Sequence, residues 1–64
     1  MKPHQQRVVD EKTSLDEKIS KLISFMESDA SSVLSLSEED DLEEQLEYME
    51  KYSEVLERRI SKFS

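Results

Sequence analysis

Apolar residues recur at alternating steps of four and three along most of this chain. Val8, Leu15, Ile19, Leu22 and Met26 share one helical face, with Lys12 at the single polar position of the stripe. Val9, Ile23 and Phe25 widen or flank that face. Pro3 suits a first helical turn, where its missing N–H costs little. The spacing predicts helix one over about residues 3–28. Residues 28–37, SDASSVLSLS, break the pattern, because serine hydroxyls compete for backbone groups and favour turns and caps. The turn is expected over 29–37, with Val33, Leu34 and Leu36 folding back over the end it closes.

Ser37, followed by Glu38, Glu39 and Asp40, reads as an N-cap with acids in the first turn. A second stripe follows: Leu42, Leu46, Met49, Ser53, Leu56, Ile60 and Phe63, beside a strip of Tyr48, Tyr52 and Val55. Helix two is expected over about 38–63, with a face wide enough for two neighbours. The prediction is an all-α protein, one antiparallel two-helix hairpin in a single domain over 1–64, which pairs with copies of itself into a homo-oligomeric helical bundle, a dimer or tetramer. Composition supports the assembly. Sixty-four residues with 34% hydrophobic content, no Trp and no Cys cannot enclose a large core or staple a small one with disulfides.

Charge then divides the chain. Sixteen acids against nine Lys and Arg give a net charge of −7. Residues 1–9 nevertheless carry Lys2 and Arg7 and no acid, and residues 51–64 carry Lys51, Arg58, Arg59 and Lys62 against two acids. With the turn centred near residue 33, Arg7 lies opposite Arg59, His4 opposite Lys62, Glu11 opposite Val55, and Lys18 opposite Tyr48. Both basic ends therefore meet at one pole. The unpaired N–H groups at the start of helix one favour an anion there. Arg58, Arg59 and Lys62 also offset the dipole of their own helix end, a sufficient structural reason for basic residues in a last turn.

The candidate ligand-binding residues are His4, Gln5, Arg7, Lys18, Tyr48, Tyr52, Arg58 and Arg59. Arginine grips phosphate bidentately, while His and Gln donate to and accept from polar edges. Tyr48 and Tyr52, one turn apart, can stack on a base. The same tyrosines also suit an interface between chains. A net negative charge disfavours DNA or RNA polymers and anionic lipid. No apolar run approaches the length of a membrane span, and the first thirty residues lack a signal-peptide core. No Gly-rich phosphate loop, no nucleophile–base pair and no metal-ligand set is present, and the acidic run 38–44 lacks the glycine of a calcium loop. Neither a cofactor nor catalysis is expected.

PHQQRVVDEK (3–12), LDEKISKL (15–22) with Phe25, and QLEYMEKYSEVLERRI (45–60) with Phe63 together resemble a family of very small tailed-phage proteins related to a crAss-like phage protein. The resemblance covers most of the chain apart from the Ser-rich turn. It implies phage origin, a helical hairpin and action in the cytoplasm of an infected bacterium. By analogy, phages encode compact non-catalytic oligomers that trap the cyclic nucleotide signals of bacterial immunity. The expected function is sequestration of a small phosphate-bearing ligand of that class, an anti-CBASS sponge. The alternative is an interaction module whose helix-two face docks a host or phage protein.

Overall fold

The computed structural model describes residues 1–63. Helix α1 runs Pro3–Glu27, a short 3-10 helix follows at Asp29–Val33, and helix α2 runs Leu36–Ser61. The two long helices pack antiparallel into one hairpin, 46 Å long and 15 by 13 Å across. Pro3 opens α1 as expected, and the amide oxygen of Gln5 accepts the backbone N–H of Lys2 at 3.1 Å, which ties down the first turn.

The turn departs from the sequence reading at two points. Ser35, not Ser37, caps α2: its Oγ accepts the backbone N–H of Glu38 at 3.1 Å, and Glu38 and Glu39 fall in the first turn. Both serines are followed by acids, but only Ser35 is placed three residues before an N–H that still lacks a partner. Ser35→Ala is expected to cost about 1 kcal/mol, and Ser37→Ala under about 0.5 kcal/mol, when chemical-denaturation midpoints are compared. Second, of the three apolar turn residues only Leu34 is half-buried; Val33 and Leu36 are 85% and 80% exposed. The serines close the turn instead. Ser28 Oγ donates to the Phe25 carbonyl at 2.7 Å, and Ser31 Oγ to the carbonyls of Ser28 and Met26 at 2.8 and 3.2 Å. The Phe25 and Ser28 carbonyls also accept the backbone N–H groups of Ser28 and Ser31, so side chain and main chain close the turn together.

Among the described residues only Val8 and Leu56 are buried, and Leu56 has no exposure at all. The remaining stripe positions are half-buried, as a lone pair of helices requires. The two polar positions within the stripes, Lys12 and Ser53, meet through one carboxylate. Lys12 Nζ lies 2.6 Å from Asp16 Oδ2 and 3.7 Å from Glu57, while Ser53 Oγ donates to Asp16 Oδ1 at 2.5 Å. Slipping the helices by one turn would break both cross-helix links, so this cluster opposes other registers. The bond from Lys12, and then that from Ser53, holds the Asp16 carboxyl below the ordinary carboxylate range.

A depressed folded-state pKa gives stability that is complete above the ordinary carboxylate pKa and is lost as pH falls through the lower folded value. Asp16→Asn is therefore expected to lower stability at neutral pH. It should also flatten the acid-side decline between about pH 4 and pH 2. Urea titrations at several pH values check both.

Candidate ligand site

The cross-helix contacts set the register of the pole. Glu11 meets Tyr52, Lys12 meets Glu57 and Asp16 meets Ser53. These pairs bracket the expected alignment in which residue 7 lies opposite 59, so the start of α1 and the end of α2 stand side by side. Lys2, His4, Arg7, Arg58, Arg59 and Lys62 all belong to that end. The six acids of residues 38–44 belong to the other.

Helical spacing then sorts these residues by face. On α1, His4, Glu11, Lys18 and Phe25 repeat every seven residues and form one line along the helix. On α2, Tyr48, Tyr52, Val55 and Arg59 follow at steps of four, three and four. Because the Tyr52 hydroxyl donates to Glu11 Oε1, these two lines border one another on the same side of the hairpin. That face carries His4, Lys18, Tyr48, Tyr52 and Arg59, five of the eight candidates. Arg7 sits one turn from both His4 and Glu11 at its outer edge. Arg58 is two residues beyond the fully buried Leu56, and at about 100° per residue it projects from the side opposite α1. It adds charge to the pole but not to the face. Gln5 is half-buried, with its carbonyl engaged by the Lys2 N–H.

Most of the cations have no carboxylate partner. Among the described residues ion pairs involve only Lys12 and Lys51, so Arg7, Lys18, Arg58, Arg59 and Lys62 make none. The aromatic groups are less free. Tyr48 is 60% exposed with Lys51 Nζ 5.7 Å from its ring centre, and Tyr52 is 42% exposed. The bond to Glu11, and then loss of hydration, push the Tyr52 hydroxyl above its ordinary pKa, while the nearby charge of Arg59 opposes the rise. The Tyr52 hydroxyl is thus committed to Glu11, and what it offers a ligand is the ring.

The Glu11–Tyr52 bond had no distinct signal in the sequence. The hairpin register set Glu11 against Val55, and only the staggering of two helices brings a residue one turn away into reach. A cavity of about 170 Å³ lies at the closed end, lined by Met26, Ser31, Leu34, Glu39, Leu42 and Glu43. Its two carboxylates and its distance from the pole make it unsuited to phosphate. Among the described residues no group of three or more His, Cys, Asp or Glu is placed to hold a metal ion, and no helix is long and apolar enough to cross a membrane.

The described residues form a helical hairpin with cations gathered at one end. Comparison with known proteins gives the family. A family model described as Sequestin matches residues 2–62, and the chain belongs to that small phage-associated family. The family name denotes sequestering, a non-catalytic binding role, and that is the function of this protein. No curated protein and no solved structure matches the chain.

Proposed function

We propose that the sequestered ligand is a small phosphate-bearing molecule of the cyclic nucleotide class, an immune signal of the host bacterium, held in pockets between copies of the hairpin. The observation that carries this reading is the set of arginines and lysines at one end and along one face that pair with no carboxylate among the described residues. Arg7 and Arg59 would take the phosphates, with His4 and the free amide N–H groups of Gln5 on polar edges. Arg58 would contribute through its charge. From Arg59, Tyr52 is two turns or about 10 Å along α2 and Tyr48 one turn more, so a base stacked on either ring lies within reach of a phosphate at the pole, with Lys18 beside Tyr48.

The acidic remainder of the chain supports a small ligand over a polymer. A nucleic acid strand extending from the pole would run along fourteen carboxylates between residues 10 and 50. The implied setting is the cytoplasm of an infected cell, in keeping with the resemblance to tailed-phage proteins related to a crAss-like phage protein.

Isothermal titration against a panel of cyclic di- and trinucleotides tests this reading. At least one member is expected to bind with a Kd below about 1 µM. Heat from none of them at about 100 µM ligand would remove the cyclic nucleotide class from consideration.

A further inference from the structure

Apart from Met1 at the chain start and Val33 and Leu36 at the turn, the exposed large apolar side chains are not scattered. Phe25, Tyr48, Tyr52 and Val55 are 37%, 60%, 42% and 39% exposed, and all four lie on the face described above. Extended in both directions, the tyrosine strip is a full heptad stripe: Asp41, Gln45, Tyr48, Tyr52, Val55, Arg59 and Lys62, at steps of 4, 3, 4, 3, 4 and 3. It is separate from the stripe that packs on α1, and all seven of its members are exposed. The order of chemistry along it is acid, amide, three large side chains, then two bases. Such an order is complementary to its own reverse.

We infer that this stripe is the contact with a second copy of the chain, laid antiparallel about a two-fold axis near Tyr52. Reversed on itself about Tyr52, the stripe sets Asp41 of one copy opposite Lys62 of the other, Gln45 opposite Arg59, and Tyr48 opposite Val55, each pair occurring twice by symmetry. A parallel arrangement would instead place Asp41 on Asp41 and Lys62 on Lys62, and would bring both acidic ends together on chains of net charge −7. Like charges in contact cost energy at each such pair, so the polarity of the hairpin selects the antiparallel pairing.

Surface area is consistent with a missing partner. The chain exposes 4966 Å², against about 4,250 Å² for a typical folded monomer of its mass. Its radius of gyration is 14.7 Å, where a compact chain of this length has about 11 Å. Returning each copy to ordinary exposure would remove about 700 Å² per chain, or about 1,400 Å² in all, which falls within the range of stable protein interfaces. The pairing bears on the sequestering reading: it sets Gln45 of one copy against Arg59 of the other and Asp41 against Lys62, leaves His4 and Arg7 outside the contact, and takes Tyr48 and Tyr52 into it, so that a ligand base meets those rings only at the rim. It stands on the stripe alone. A stable dimer that binds no nucleotide would count against the ligand and leave the pairing intact.

Sedimentation equilibrium of the full chain in low salt, with helicity followed by circular dichroism, gives the test. Wild type is expected at twice the chain mass or an even multiple of it. Asp41→Lys and Lys62→Glu, each alone, place two like-charge contacts in the dimer and should weaken association by about tenfold or more. Both positions are exposed, so helicity in the variants should persist. An equimolar mixture of the two variants should regain wild-type association, because each lysine at 41 then meets a glutamate at 62. Residues 41 and 62 lie at opposite ends of one chain, so recovery on mixing can only arise between chains. A fully helical monomer at about 100 µM, or single variants that associate as well as wild type, would overturn the proposal.

Discussion

Leu56→Ala is expected to lower stability by about 3 kcal/mol, the largest effect of any single truncation in the chain. Among the described residues Leu56 is the one side chain with no solvent exposure, and Val8 on α1 is the only other buried residue. Removing the Leu56 side chain deletes its transfer free energy and leaves a void that two rigid helices close only in part. In a chain this small the loss is a large fraction of the whole. Val8→Ala should cost less, about 1.5 kcal/mol at two carbons lost. Val33→Ser and Leu36→Ser should each stay within about 0.5 kcal/mol, because both side chains are in water already. Chemical denaturation at several protein concentrations checks the series, and the wild-type midpoint should rise with concentration if assembly stabilises the fold.

The second large effect concerns the pole. Arg7→Ala combined with Arg59→Ala is expected to weaken nucleotide binding by about a hundredfold or more, on the scale of two lost charge-assisted hydrogen bonds. Arg58→Ala should cost less than about fivefold. The two arginines are neighbours in sequence and carry the same charge, yet about 100° separates them on the helix. Arg59 continues the line of Tyr48, Tyr52 and Val55, and Arg58 faces solvent on the other side. A net-charge effect alone would penalise the two replacements equally, so titrations of each single variant separate pocket contacts from general attraction.

Much of this architecture was legible in the order of residues because helices of this length write their packing as a period. The stripes through Val8–Met26 and Leu42–Phe63, with Pro3 at the start and no glycine anywhere, left the two helices little alternative. The register was legible as well, since a short break between long antiparallel helices fixes which residues face each other. The turn was less so. Serines at 28, 31, 32, 35 and 37 are all competent caps, and the choice of Ser35 depends on which N–H the last turn leaves unpaired. Leu34 alone among three apolar neighbours reaches the hairpin, because the 3-10 helix before it rotates Val33 outward and Leu36 already belongs to α2.

The site divides in the same way. Convergence of His4, Arg7 and Arg59 followed from the hairpin, whereas the separation of Arg58 from Arg59 and the engagement of the Tyr52 hydroxyl by Glu11 required the faces of both helices to be placed. Neither Lys12 nor Ser53 looked like more than a flaw in its stripe. Together with Asp16 they form the polar link that defines how the stripes align.

Sequestration makes a demand that simple binding does not: the ligand must disappear from solution and return unchanged. The most direct measurement mixes a cyclic nucleotide from the panel with an excess of protein, filters off the free fraction, then unfolds the protein and assays what is released. A free fraction near zero is expected before unfolding, and full recovery of the intact cyclic nucleotide after it. Recovery of a linear or dephosphorylated product would contradict a non-catalytic role, and a free fraction equal to the input for every nucleotide tried would contradict binding itself.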